Sequence, residues 1–320
     1  MIFLGKDDSF QNLFRIAPYF CRVNMNKTMK TMKRFLGVGC LLLAAATATA
    51  QSDFGVWTSI EGSTKVNKNL ELSLEGEYRT QDMSSMTERV SGAVNLSYKN
   101  KDFLPFLKAD VGYTFMSMNY QGETTIKYET EDDGSYELDA EGNPIPKHIN
   151  VDDAYWTARH RATASLTGSV KWGRFKFSLR ERYQFTHRMR SYCDRTRWYY
   201  DPFHKMFPED VPEYYLDDDP KSDDYSYMTD EKKSKSDHKL RSRLAVSYDI
   251  KKCPFEPFAE IEVYNELDNA FAYDKIRYTV GTEYKINKEH KLKLYYRYQD
   301  YADMDEVSGH VLGIGYAFEF

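Results

Sequence analysis

Apolar and polar residues alternate along most of the chain with a period of two, the signature of half-buried β-strands. In Leu70-Glu71-Leu72-Ser73-Leu74-Glu75-Gly76-Glu77-Tyr78-Arg79 one face is Leu, Leu, Leu, Gly, Tyr, and the other is Glu, Ser, Glu, Glu, Arg. Segment 90–98 alternates Val90, Gly92, Val94, Leu96 and Tyr98 with polar or small residues. Segment 106–116 sets Leu107, Ala109, Val111, Tyr113 and Phe115 against Lys108, Asp110, Gly112 and Thr114. Further strands are predicted near 54–65, 157–172, 174–190, 238–251, 256–266, 273–287, 290–301 and 308–320, which makes eleven. No stretch past residue 50 carries a convincing helical period.

The connections alternate in length. Short turns fall at 66–69, 100–102, 172–174, 251–254 and 287–289; longer loops fall at 80–88, 119–156, 191–237, 266–272 and 301–307. Such segregation belongs to outer-membrane barrels, with short periplasmic turns and long extracellular loops. Ser63-Thr64-Lys65-Val66-Asn67-Lys68 echoes Glu283-Tyr284-Lys285-Ile286-Asn287-Lys288, as two similar hairpins would. The expected fold is all-β: a single antiparallel transmembrane β-barrel of 10–12 strands. Single-chain bacterial barrels have even strand numbers. Eleven strands therefore imply either ten, with the first segment tucked in or against the barrel, or twelve.

Composition agrees. Of 320 residues 41% are hydrophobic, 29% charged and 15% aromatic, with 26 tyrosines. That excludes a polytopic helical membrane protein, which needs several apolar runs of ~20 residues. It also excludes a disordered polymer, since those are poor in aromatics. The surviving alternative is a secreted soluble β protein. Residues 36–50 read as the apolar core and Ala48-x-Ala50 site of a secretory signal, preceded by Lys30, Lys33 and Arg34. Residues 1–50 are taken as an upstream extension plus signal, removed after Ala50, and 51–320 as the barrel. The remaining chain has 37 basic and 47 acidic residues, since 1–50 hold seven Lys/Arg and two Asp/Glu. An acidic chain is a poor nucleic-acid binder. Cys193 and Cys253 fall at opposite ends of the barrel and cannot bond, because a disulfide needs Cα atoms within about 7 Å.

If the apolar face meets lipid, parity turns Arg79, Arg89, Arg159, Arg161, Arg180, Arg182, Arg241, Arg243, Arg277 and Arg297 into the lumen. Glu61, Glu75, Glu77, Asp110, Glu260, Glu262 and Glu283 turn inward with them. Strand direction gathers Arg79, Arg89, Arg159, Arg161, Arg241 and Arg277 in the outer half. Two roles follow: a salt-bridged plug, favoured by the seven acids, or a narrow basic pore for anions. Tyr78, Tyr98, Tyr113, Trp172, Tyr248, Tyr284 and Tyr298 fall near strand ends, where interfacial girdles form. Glu181 lands on the lipid face near mid-strand, where a charge is costly. A β-bulge between Leu179 and Tyr183 would reset parity there and move Arg180 or Arg182.

No catalytic constellation, cofactor motif or metal site is found: there is no Gly-x-Ser-x-Gly and no His-Glu-x-x-His. His160, His187 and His310 fall on the apolar face. A lipid-modifying barrel enzyme remains the alternative activity. The acidic, tyrosine-rich loop 209–231, with Asp217-Asp218-Asp219 and Asp223-Asp224, reads as a solvated surface.

The last strand places Leu312, Ile314, Tyr316, Phe318 and Phe320 at alternate positions. Tyr316, Phe318 and terminal Phe320 resemble the C-terminal assembly signal of bacterial outer-membrane proteins. That resemblance implies the barrel assembly machinery and outer-membrane lipid as partners. A wider resemblance is carried by Phe54-Gly55-Val56-Trp57, Leu179-Arg180-Glu181-Arg182-Tyr183-Gln184, Pro257-Phe258 with Glu260 and Glu262, and Asp274-Lys275-Ile276-Arg277-Tyr278. Gly281 with Glu283-Tyr284-Lys285, and Leu294-Tyr295-Tyr296-Arg297-Tyr298-Gln299, complete it. These stretches resemble the Bacteroidetes-type outer-membrane family catalogued as domain of unknown function 2490, over nearly all of 53–320. The resemblance implies a single barrel and assigns no activity.

Overall fold

The computed structural model of the chain describes residues 53–81, 83–100, 102–140, 142–199, 225–302 and 309–320. The signal segment and the acidic run 217–224 lie outside the described residues. Eleven strands form a closed barrel. In chain order they begin with β1 (Asp53–Lys65), β2 (Leu70–Gln81), β3 (Met86–Tyr98) and β4 (Leu107–Tyr120). After β5 (Glu123–Tyr128) and β6 (Pro146–Asp152) come β7 (Tyr155–Trp172) and β8 (Phe175–Arg188). After β9 (Ser191–Tyr199) and β10 (Tyr225–Lys232) come β11 (Lys235–Tyr248), β12 (Phe255–Glu266), β13 (Ala272–Lys285), β14 (His290–Tyr301) and β15 (Gly309–Glu319). β5, β6, β9 and β10 stand apart as a four-stranded sheet; the others are the barrel.

The count is eleven, neither ten nor twelve. β1 is a full wall strand, antiparallel to β2 on one side and parallel to β15 on the other, from Asp53↔Gly309 to Ser63↔Glu319. All other barrel neighbours run antiparallel. A single parallel seam lets an odd number of strands close without an edge, and an open edge in lipid would leave backbone groups unsatisfied.

The echoing hairpins have one geometry. Asn67 Oδ1 accepts from the backbone N–H of Asn69 and Leu70, both at 2.9 Å. Asn287 Oδ1 accepts from Glu289 at 2.8 Å and His290 at 2.7 Å. Asn side chains close such turns by standing in for a backbone acceptor. Gly173, at φ +61°, supplies the left-handed residue in the tight turn between β7 and β8.

Loops 119–156 and 191–237 are not plain loops, because they hold the four-stranded sheet in the order β10-β9-β6-β5. Its core is Ile149, Cys193 and fully buried Trp198. An ion cluster ties its strands together: Arg195 pairs with Asp152 and, at 2.9 Å, with Asp230. Lys232 pairs with Asp152 at 2.5 Å and with Asp230 at 3.1 Å. Asp152, Asp230 and buried Cys193 approach one another as metal ligands might. Both carboxylates are already satisfied by cations, so the cluster is a cross-link. Cys193, in this sheet, and Cys253, in the turn before β12 at the other end, are free thiols.

The hydrogen bonds from Arg195 hold the Asp152 carboxyl below its ordinary 3.8; burial opposes them and Lys232 reinforces them. A lowered folded value means the contribution is complete above the unfolded value and disappears as pH falls through the folded one. The sheet is therefore expected to keep its amide-exchange protection in β6 and β9 at neutral pH and lose it below about pH 4. Unchanged protection in acid would exclude Asp152 as its tie.

Candidate functional site

Register fixes which side chains enter the lumen. Trp57, Arg79, Arg89, Thr157, Gln184, Thr186, Glu262, Tyr264, Thr279, Gln299 and Val311 are buried, while their strand neighbours Val90, Leu166, Leu179, Ile261, Tyr278, Val280 and Leu312 are exposed outside. This is the polar-in, apolar-out alternation of a membrane barrel. The ten arginines occupy the inward parity. No bulge interrupts β8: its pairing with β7 and β11 is continuous from Phe175 to Arg188, so Arg180 and Arg182 stay inside and Glu181 stays outside. The register shifts of the barrel lie instead at Arg79/Thr80 and Tyr264/Asn265.

Three carboxylates gather half of the arginines. Glu77 accepts from Arg79 at 2.7 and 2.9 Å and also pairs with Arg89. Glu262 pairs with Arg180 at 2.7 Å and Arg241 at 2.9 Å, and accepts from the Tyr264 hydroxyl at 2.9 Å. Arg243 reaches Glu260 at 3.4 Å. The other five, Arg159, Arg161, Arg182, Arg277 and Arg297, have no carboxylate partner among the described residues. Arg161 and Arg297 donate to threonine hydroxyls, Thr186 at 3.3 Å and Thr279 at 2.9 Å. Arg277 donates to the Tyr264 hydroxyl. Glu75 and Glu283 face inward without forming ion pairs among the described residues; Glu75 sits opposite Glu61.

Aromatic rings fill the space between these cations. The Arg79 guanidinium carbon lies 3.3 Å above the Trp57 ring, with those of Arg297 at 5.1 Å and Arg277 at 5.4 Å. Tyr264 takes Arg241 at 4.5 Å and Arg277 at 4.7 Å. Cation–π stacking of this kind holds positive charges close together where carboxylates are too few. Trp57 and Tyr264 were not among the residues assigned to the lumen from sequence. The signal was present: Trp57 shares parity with inward Glu61, and Tyr264 with Glu260 and Glu262. Opposite Trp57, Gly313 has no side chain, and the Tyr295 ring occupies the place its Cβ would take.

Charge is graded along the axis. Arg79, Arg89, Arg241 and Arg277 lie toward the long-loop end. Toward the short-turn end a cavity of about 240 Å³ is lined by Lys176, Arg243, Glu256, Glu260, Glu283 and Lys293, among others. There Glu256 pairs with Lys285 at 2.7 Å, and the rim carries a Lys65–Glu319 pair.

The outer face carries histidines hydrogen-bonded within aromatic girdles. His160 Nδ1 lies 2.7 Å from the Tyr113 hydroxyl, and His238 Nδ1 lies 2.6 Å from that of Tyr183. His310 meets Tyr296, and at the short-turn end His290 meets Tyr316 at 2.7 Å. One Ser–His pair exists here, with His187 Nδ1 2.9 Å from Ser236 Oγ. No described carboxylate orients its imidazole, so it lacks the third member that makes such a pair nucleophilic.

No curated protein matches the chain. Among solved structures it is similar to the β domain of the Bordetella autotransporter BrkA, at 8% identity and a TM-score of 0.40, covering 79% of this chain and 82% of that one. It is also similar to OmpT, an outer membrane protein of Vibrio cholerae, at 12% identity and a TM-score of 0.19, with 81% and 93% covered. Salmonella typhi OmpF in complex with daunomycin matches at 11% identity and a TM-score of 0.18, with 77% and 82% covered. The family described as protein of unknown function (DUF2490) matches residues 54–305, most of the chain and all but the last of its barrel strands. The chain therefore belongs to the DUF2490 family.

Proposed function

We propose that the chain is an outer-membrane barrel whose lumen is a narrow passage preferring small anions. The observation that carries this reading is the imbalance of the lumen: among the described residues, five of the ten arginines assigned to it lack a carboxylate partner, against three inward carboxylates, Glu61, Glu75 and Glu283, that form no ion pair. A plug held by salt bridges alone would match its charges, because an unpaired charge in a confined site is costly. A surplus of guanidinium groups instead raises the local concentration of anions. Eleven strands lie between barrels of about eight, filled by side chains, and the 16–18 that enclose an open channel. In this reading the short turns are periplasmic, the four-stranded sheet is outside the cell, and a signal cleaved after Ala50 exports the chain. The terminal strand, through Tyr316, Phe318 and Phe320, is the segment offered to the barrel assembly machinery.

Planar-bilayer recording across a potassium chloride gradient tests the proposal. The expected result is a small conductance whose reversal potential lies toward that of chloride. Absence of conductance, or cation preference, would overturn it. Arg161→Ala and Arg297→Ala are expected to shift the reversal potential toward neutrality without closing the passage.

A further inference from the structure

The cavity of about 240 Å³ at the short-turn end of the lumen contains two opposite charges that do not meet. Glu283 on β13 and Lys293 on β14 are direct cross-strand partners on the inward face. Opposite charges so placed ordinarily attract one another, yet these two form no ion pair among the described residues. The cause lies beside them. Gly281, opposite Phe258, has no side chain, and the Phe258 ring reaches to 2.8 Å from where its Cβ would stand. The ring seated in that gap draws the Lys293 ammonium, which lies 4.4 Å from its centroid. On its other side Glu283 faces Glu256. The Glu256 carboxylate is already taken by Lys285 and the Ser247 hydroxyl, both at 2.7 Å. Arg243 also lines the cavity. It keeps one long contact with Glu260, at 3.4 Å, and its buried Nε has no hydrogen-bond partner among the described residues.

We infer that this cavity binds a small zwitterion of the amino-acid class. Lys293 and Arg243 give it a positive side, and Glu283, backed by Glu256, gives it a negative one. A simple anion would satisfy the first and leave Glu283 without a partner; a simple cation would do the reverse. A molecule carrying both charges closes the divided pair. Its carboxylate accepts from Lys293 and Arg243, and its ammonium donates to Glu283, each through the charge-assisted bonds that are the strong ones. The volume is several times the ~30 Å³ that one water occupies in the liquid, room for an organic molecule of about seven non-hydrogen atoms. The site goes beyond the passage proposed above: it needs the inward parity of β11 to β14 and no current through the lumen.

Isothermal titration of the full chain, folded in detergent micelles, tests the site. Alanine and 4-aminobutyrate, which hold their charges at different separations, are the zwitterionic probes; butyrate and butylamine carry one charge each. At least one zwitterion is expected to bind about tenfold more tightly than either singly charged probe, the worth of one charge-assisted hydrogen bond. Glu283→Gln is expected to remove that advantage while leaving the affinity for butyrate unchanged. Lys293→Met is expected to weaken the zwitterion and butyrate alike. Glu75→Gln, which neutralises another inward carboxylate outside the cavity, is expected to change neither. Heat-modifiable gel mobility confirms that each variant has folded, and Glu283→Gln keeps the test decisive if Lys293→Met does not fold. Butyrate bound as tightly as both zwitterions overturns the inference, because the cavity is then a plain anion site. So does wild-type protein that binds neither zwitterion, or a Glu75→Gln loss equal to that of Glu283→Gln. A barrel that binds the zwitterion and passes no current overturns the anion passage alone, and one that conducts anions without binding the zwitterion overturns this site alone.

Discussion

Glu262→Ala is expected to destabilise the barrel by about 3–5 kcal/mol, the range for removing one partner of a buried charge cluster. Glu262 is only 6% exposed and serves three groups at once: Arg180, Arg241 and the Tyr264 hydroxyl. Without it, both arginines are left beside Arg182 and Arg243 with no countercharge, across the registers Arg241↔Arg182 and Arg243↔Arg180. Gln184, which accepts from Arg241 at 2.9 Å, is neutral and cannot replace the carboxylate. Denaturant unfolding in vesicles, followed by tyrosine fluorescence or gel mobility, reads the loss. Glu283→Gln is the matched comparison, since Glu283 forms no ion pair among the described residues, and its midpoint is expected to move little. Equal midpoints for the two variants would show that Glu262 does not bind the arginine wall together.

Trp57→Ala is expected to give the largest change in permeation, a several-fold rise in single-channel conductance with stronger anion preference. Trp57 is 3% exposed and lies beneath Arg79, with Arg277 and Arg297 on its other sides. Removing the indole takes away the ring that keeps these guanidiniums together and opens space where they converge. Thr58→Ala, one residue away on the lipid face, is expected to leave the current unchanged. A wild-type conductance that Trp57→Ala leaves unaltered would place the constriction elsewhere.

The barrel was legible because an apolar outer face and a polar inner face impose alternation on every strand. Each of the eleven wall strands was visible as a segment. What escaped notice lacked that contrast. In β5, Glu123–Tyr128, only Ile126 and terminal Tyr128 interrupt a polar run, because it is the edge strand of its sheet and most of its side chains are exposed. The odd strand number was hidden for a different reason: alternation reports a strand's two faces and says nothing about its direction relative to a distant neighbour. The bulge expected near Glu181 came from treating an outward carboxyl as an error of register. The continuous ladder makes it a real outward group, partnered by Ser242.

The parallel seam between β1 and β15 also limits how the chain could be rearranged. Where a barrel's end strands run antiparallel, a tight turn can join them and the chain can be reopened at another hairpin. Here Asp53 and Glu319 lie at opposite ends of the wall, as Asp53↔Gly309 and Ser63↔Glu319 require. A linker joining them would have to run the height of an 11-residue strand, roughly 36 Å of extended chain, through the narrow lumen or along the apolar outer face. Circular permutation, tolerated by many compact proteins whose termini meet, is closed to this one.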